Sequence, residues 1–199
     1  MTKRLIVILF AAMFVFGCGS TTKVSRVSTD TTTDLSGKWN DTDSRLVAEK
    51  IVDDVLSNNW LFNFIQTHNQ KPVVIVGNIA NKTSEHIDTE IFCKDIEREL
   101  INAGRVRFVA GAQQRREVRE ERLDQQTHAS METAKKLANE LGADFMLKGS
   151  LKSIEDSVEG QKVVYYQADL ELINLETNEI SWMGSKKIKK LIERSGYKW

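Results

Sequence analysis

The sequence predicts an α/β domain: a single small unit with a mixed β-sheet packed by helices. Three observations carry this. Val73-Val74-Ile75-Val76 is a run of four β-branched residues, the mark of a strand covered on both faces. Residues 163–173 alternate instead: Val164, Tyr166, Ala168, Leu170 and Leu172 fall on one face and Gln167, Asp169 and Glu171 on the other. That is the pattern of a sheet with one packed and one wet face. Between and before these strands lie stretches with apolar residues at helical spacing.

In chain order, a helix is expected from Thr42 to Phe64. Asp41, Thr42 and Asp43 offer cap oxygens. Leu46, Val47, Ile51, Val55 and Leu56 form its stripe, and Asn58-Asn59 is a place for it to break. After the strand at residues 73–76, Gly77 to Glu85 reads as a polar loop. A second helix spans Ile87 to Ala103, with Phe92, Ile96, Leu100 and Ala103 inward and Gly104 as its stop. Residues 105–109 alternate as a strand. Gln113 to Gln126 is a charged helix, and Ser130 to Leu141 a more apolar one closed by Gly142. Phe145 to Leu151 is a strand. Residues 163–173 then pair with a returning strand from Ile180 to Ile188. The order α-β-α-β-α-α-β-β-β fits a mixed sheet with helices packed on it.

The chain opens with a targeting segment, which must be set aside before fold reasoning. Lys3 and Arg4 precede an uncharged apolar run of 12 residues, Leu5 to Phe16, followed by Gly17-Cys18. The run is too short to span a bilayer comfortably, which takes about 20 residues. The arrangement resembles the lipobox of bacterial lipoproteins, with Val15 and Phe16 where leucine and a small residue are usual. That resemblance implies cleavage before Cys18 and acylation of its thiol. Three acyl chains exceed what stable anchoring requires. Gly19 stands where an inner-membrane retention signal would have Asp, which implies the periplasmic face of the outer membrane. Nine of the 15 residues from Gly19 to Thr33 are Ser or Thr. Such a segment buries too little to offset its ordering entropy and reads as a linker. From Cys18 to Gly37 its greatest reach is about 65 Å. The organisation expected is a signal peptide at 1–17, a lipidated Cys18 and tether over 18–36, a globular domain over 37–190 and a basic tail over 191–199.

Composition narrows function. The 28 basic and 28 acidic residues of the 199 cancel. Without residues 1–17 the balance is 26 to 28. No field of the kind a nucleic-acid binder needs remains. Two cysteines exclude a disulfide scaffold. His68, His86 and His128 are far apart and lack partners at metal-ligand spacing. Cys93 falls on the inner side of the 87–103 helix, as a small core residue would. Asp41 and Asp43 read as cap residues rather than metal ligands. Asn81-Lys82-Thr83 matches a glycosylation sequon by chance. There is no nucleophile elbow, phosphate-binding glycine loop or carboxylate pair. No catalytic residue, metal, cofactor or small-molecule substrate is expected, and the chain is not read as an enzyme. Two charged features are left. Arg115, Arg116, Arg119 and Arg122 interleave with Glu117, Glu120 and Glu121, as on a solvated helix. Residues 186–199 carry Lys186, Lys187, Lys189, Lys190, Arg194 and Lys198, as on a guarded sheet edge followed by a tail.

Four spaced segments then resemble one family. They are Asp34-Leu35-Ser36-Gly37-Lys38-Trp39-Asn40-Asp41-Thr42-Asp43, the strand and loop KPVVIVGNIANKTSEHID (71–88), LGADFMLKGSL (141–151) and the hairpin end TNEISWMGSKKI (177–188). Together they are similar to LpoB, a family of outer-membrane lipoproteins that activate class A penicillin-binding proteins. The resemblance implies a small α/β domain like the N-terminal domain of TolB and the core of the curli secretion lipoprotein. It implies as partner a bifunctional peptidoglycan synthase, stimulated by contact, and a membrane attachment through lipid only. The tether here is shorter than the long one of the best-known members. Polarity and exposure, rather than the resemblance, suggest Asn78, Asn81, Lys82, Thr83, Arg115 and Arg119 as contact residues. The alternative is a curli-type secretion or scaffold lipoprotein that forms an oligomer. Against pore formation, no long alternating apolar segments lie beyond the single domain.

Overall fold

The computed structural model describes residues 23–110, 114–121 and 142–193. Residues 23–31 form one unit, all exposed, with a turn closed by the Thr31 N–H donating to the Ser28 carbonyl at 3.1 Å. The chain from Thr32 onward is a second unit.

Helix α1 runs Asp41–Ser57. Its cap is Asn40, one residue before the expected acidic cluster. The Asn40 side chain accepts from the Asp43 N–H at 3.1 Å, and the Asn40 N–H donates to Asp43 Oδ2 at 3.0 Å. This reciprocal pair satisfies two otherwise orphaned donors. The expected break falls at Asn58, whose extended backbone ends α1 and caps α2, Asn59–His68. Asn69, in the left-handed region at φ 51°, closes α2. Strand β1 spans Val73–Lys82, well past the run of β-branched residues. The expected loop from Gly77 is therefore half strand. Gly77 and Asn78 together oppose Lys148 in a bulge, after which Ile79 faces inward and is fully buried. Helix α3 spans Thr89–Ala103, capped by Asp88 and ended by Gly104 at φ 63°. Phe92, Ile96 and Leu100 are buried as expected, whereas Ala103 is exposed. Strand β2 is only Arg107–Phe108. Residues 114–121 are helical, as expected for part of 113–126; the expected helix at 130–141 lies outside the described residues.

Strands β3 (Phe145–Val158), β4 (Gln161–Asn174) and β5 (Ile180–Glu193) form a meander longer than the apolar patterns suggest. Glu159-Gly160 closes its first turn, with Gly160 at φ 79°. The sheet order is β2-β1-β3-β4-β5, parallel across β2, β1 and β3 and antiparallel across β3, β4 and β5. This is the mixed α/β sheet the sequence predicts. Val73 and Val74, pointing to opposite faces, are both buried, while Ile75 and Val76 are half-buried. The inward residues of β4 follow the predicted alternation without exception from Val164 to Leu172. Of these, Ala168, Leu170 and Leu172 pack with Val47, Ile51, Val55, Phe92, Ile96, Leu147 and Trp182 into one core between α1, α3 and the sheet.

Gly149 pairs with Leu170 and lies against the β4 backbone. A Cβ there would collide with the Asp169 carbonyl oxygen and lie 2.9 Å from Leu170 Cα. Both are backbone atoms, so neither can rotate away. Gly149→Ala is expected to cost about 2 kcal/mol, within the range for overpacking. The midpoint of urea unfolding checks it.

Candidate functional site

The most heavily bonded polar region joins the chain just before α1 to the ends of β4 and β5. Residues 34–40 form a strap. Tyr166 lies on the inward face of β4, 0% exposed, so its hydroxyl needs an acceptor. It donates to Glu85 Oε1 at 2.5 Å and lies 3.4 Å from the Gly37 carbonyl. The other oxygen, Glu85 Oε2, accepts from the Trp39 N–H at 3.2 Å. One carboxylate thus links the sheet to the strap. The Trp39 ring packs edge-on against Phe92 and Tyr166, with centroids 6.1 and 5.5 Å apart. Its indole N–H donates to Ser44 Oγ at 2.8 Å. Burial, then the Glu85 hydrogen bond, pushes the Tyr166 phenol far above its ordinary range, so it stays a donor.

Lys190 is the second anchor. It stands on β5 opposite Val164, and its side chain is 8% exposed. Its amine donates to Asp34 Oδ1 at 2.5 Å, Asp43 Oδ2 at 2.6 Å and the Lys38 carbonyl at 3.0 Å. All three proton directions are satisfied. The hydrogen bond from Lys190 lowers the pKa of Asp34. Burial, opposed by Lys190, holds the Asp43 carboxyl above its ordinary value. Burial also opposes the Lys190 cation, but the two carboxylates together outweigh it and raise its pKa.

The turn after β1 supports Glu85. Asn81 Nδ2 donates to the Glu85 carbonyl at 2.8 Å, and Asn81 Oδ1 accepts from the Thr83 hydroxyl at 2.7 Å. Ser84 Oγ donates to Glu155 on β3 at 2.9 Å. Beside this turn a concavity of about 660 Å³ opens between the strap and the β3–β4 hairpin, lined by Leu35, Glu85, Val158 and Ile192 among others. Leu35 is 93% exposed.

Of the residues expected to make contacts, Asn81 and Thr83 are thus joined in one network that shapes the turn. Asn78 and Lys82 are exposed on the second half of β1. Arg115 is half-buried and Arg119 exposed, both on the helical residues 114–121. Cys18 lies outside the described residues. The Cys93 thiol is half-buried, 4.0 Å from the Gly77 carbonyl, and burial pushes its pKa up, away from a nucleophilic thiolate. Among the described residues no three His, Cys, Asp or Glu are grouped to hold a metal ion. Nor is any described helix long and apolar enough to cross a membrane. Lys190, expected on a charged edge, is a buried structural cation instead. The sequence reading also missed Glu85. The signal for Lys190 was parity: it shares the inward face with Trp182 and Ile188.

Fold and site together define a small one-sheet α/β domain with an N-terminal strap clamped across the end of its sheet. The chain belongs to the family described as peptidoglycan-synthase activator LpoB, which it matches over residues 43–188. No curated protein matches it. Among solved structures, it is similar to the LpoB C-terminal domain from Escherichia coli, at 19% identity over 73% of this chain and 98% of that one, with a TM-score of 0.47. The structure of LpoB from the same organism gives 15% identity, 89% and 87% coverage and a TM-score of 0.42. Lipoprotein GNA1162 from Neisseria meningitidis gives 16%, 64% and 88%, and 0.37.

Removing the clamp has a definite cost. Lys190→Met leaves Asp43, 6% exposed, without its cation. The expected loss is about 3 kcal/mol, at the low end for a broken buried pair because Asp34 is 45% exposed. Chemical denaturation measures it. The pH dependence follows from the signs. A raised Lys190 pKa gives stability that is complete below its ordinary 10.5 and lost as pH rises through the folded value. A raised Tyr166 pKa acts the same way above its ordinary 10.0, because the unfolded phenol ionises first. Stability should therefore fall above about pH 10, and the Lys190→Met, Tyr166→Phe double variant should flatten that limb in an unfolding series run against pH.

Proposed function

We propose that this chain is a non-enzymatic lipoprotein of the outer membrane that binds and stimulates a class A penicillin-binding protein from the periplasmic side. The single observation that carries the reading is the family match over residues 43–188, which brings with it a peptidoglycan synthase as partner. The apolar run from Leu5 to Phe16 followed by Gly17-Cys18 supports a lipid anchor at Cys18. Residues 1–17 would then be removed, 18–36 would serve as tether, 37–190 as the working domain and 191–199 as a basic tail. Anchoring and recognition are divided between the two ends of the tether.

Polar side chains supply the contact surface: the exposed Asn78 and Lys82 on β1, and the half-buried Arg115 and exposed Arg119 on residues 114–121. Asn81 and Thr83 act beneath it, by holding the turn that presents Lys82 and Glu85. Basic side chains with apolar stems suit recognition of a protein face that carries carboxylates.

The test is reconstitution with a purified class A penicillin-binding protein. The full-length chain is expected to raise the glycan polymerisation rate and to be retained with that synthase after gentle crosslinking in cells. Retention only of copies of itself and of exported proteins would refute the reading. The triple variant Lys82→Glu, Arg115→Glu, Arg119→Glu should weaken stimulation about tenfold, the size expected for reversing rim charges. Its unfolding in urea, measured alongside, should remain a single cooperative transition, so that the weakening is not loss of the fold. Intact-mass measurement of the mature chain should show a start at Cys18 with acyl chains attached, and Cys18→Ser should abolish the acyl mass.

A further inference from the structure

Far from the strap, α2 leans over the opposite end of the meander and leaves a shallow cleft of about 460 Å³, wide open to solvent. Its lining contains no charged residue, although 28% of the chain is Asp, Glu, Lys or Arg. One wall is the solvent side of α2, where Asn59, Asn63 and Thr67 recur at helical spacing and are exposed. The other wall is the end of β4 and the start of β5, with Asn174 and Ser181. The floor is aromatic: Phe64 and Phe145 meet edge to face, with centroids 5.4 Å apart.

The polar groups are only partly committed. Asn174 Oδ1 accepts from the Glu176 and Thr177 N–H groups at 2.9 and 3.1 Å, which turns its amide nitrogen outward as a donor. Asn59 and Asn63 are exposed, and no hydrogen bond to a described residue holds their amides. Each amide offers two donors and a carbonyl acceptor. Facing amides and hydroxyls over an apolar floor match a ligand that is neutral, rich in hydroxyls and ridged with C–H faces. Phosphates and carboxylates would find no cation here, and an apolar ligand would strand the amides.

We propose that this cleft binds a neutral saccharide bearing acetamido groups. Asn59, Asn63 and Thr67 recur every four residues, about 6 Å apart along the helix axis, so successive rings of an oligosaccharide can meet successive side chains. In a family of peptidoglycan-synthase activators, the glycan strand is such a polymer. That identification of the natural source rests on the activator reading, whereas binding to the saccharide does not.

The test uses the isotope-labelled full-length chain in a zwitterionic detergent that carries no sugar headgroup, titrated with N-acetylated β-1,4-linked chitotriose. Perturbed side-chain amide signals of Asn59, Asn63 and Asn174, saturating with titrant, are the expected result. Cellotriose, which lacks the acetamido groups, should bind more weakly. The Asn59→Ala, Asn63→Ala variant should raise Kd about tenfold, the effect of losing two hydrogen bonds. Both changes are on an exposed helix face and favour the helix, so folding is kept. Absence of perturbation at these amides up to the solubility of chitotriose overturns the proposal. So does equal affinity in the variant. Synthase stimulation, measured on the same preparation, separates this outcome from a failure of the activator reading.

Discussion

The buried amine of Lys190 is the constraint on which the arrangement around the sheet end depends. An ammonium group inside a protein is tolerated only when every proton has an acceptor and an opposite charge is at hand. Here the acceptors come from three places: Asp34 and the Lys38 carbonyl in the strap, and Asp43 in the first turn of α1. Asp43 is also half of the capping pair with Asn40. The same carboxylate therefore starts the helix and secures it to β5. With Glu85 joining Tyr166 to Trp39, the strap is held by two carboxylate bridges, one ionic and one neutral-donor.

The division between what the sequence reveals and what it hides follows from how local each constraint is. The alternation of β4 is legible because one face is covered by α1 and α3 while the other carries Lys152–Asp169 and Lys148–Glu171 pairs. The α3 helix is legible because its apolar stripe and its stop, Gly104, are written in the chain; its cap, Asp88, lies one residue inside the expected start at Ile87. The second half of β1 is not. Asn78, Asn81 and Lys82 are polar as in a loop, yet they belong to a ladder, because the bulge at Gly77-Asn78 restores Ile79 to the core face. A two-against-one register is a property of the neighbouring strand and leaves no mark in periodicity. The ends of β3 and β5 are hidden for a related reason: they project past the helices, so their residues are not required to be apolar.

The site is less legible than the fold. Of the residues suggested by polarity, Asn78, Asn81, Lys82 and Arg119 are exposed and Thr83 and Arg115 half-buried, and Asn81 and Thr83 are hydrogen-bonded within a turn. Glu85, Tyr166 and Lys190 are separated by up to 105 positions, and only the folded chain brings them to one end of the sheet. A lysine in a lysine-rich stretch gives no sign of which member turns inward. Strand parity is the only clue, and it becomes usable only when the register with Val164 is known.

The meander also bears on the order in which the chain can assemble. Its strands are joined by two-residue and five-residue turns, so most of its pairing closes short loops. The parallel pairing of β1 with β3 instead joins Val74 to Phe145, and its edge is sealed by Asp144 accepting from the Val73 N–H across 71 positions. Loop-closure entropy therefore favours β3, β4 and β5 as an early template, with β1 and its helices condensing onto a surface already formed. Lys190 lies on the last strand of that template, while its acceptors, Asp34, Lys38 and Asp43, stand at the start of the domain's sequence. The clamp is then a late event, a closing contact between the first and last described parts of the domain, and it can form only after everything between them has found its register.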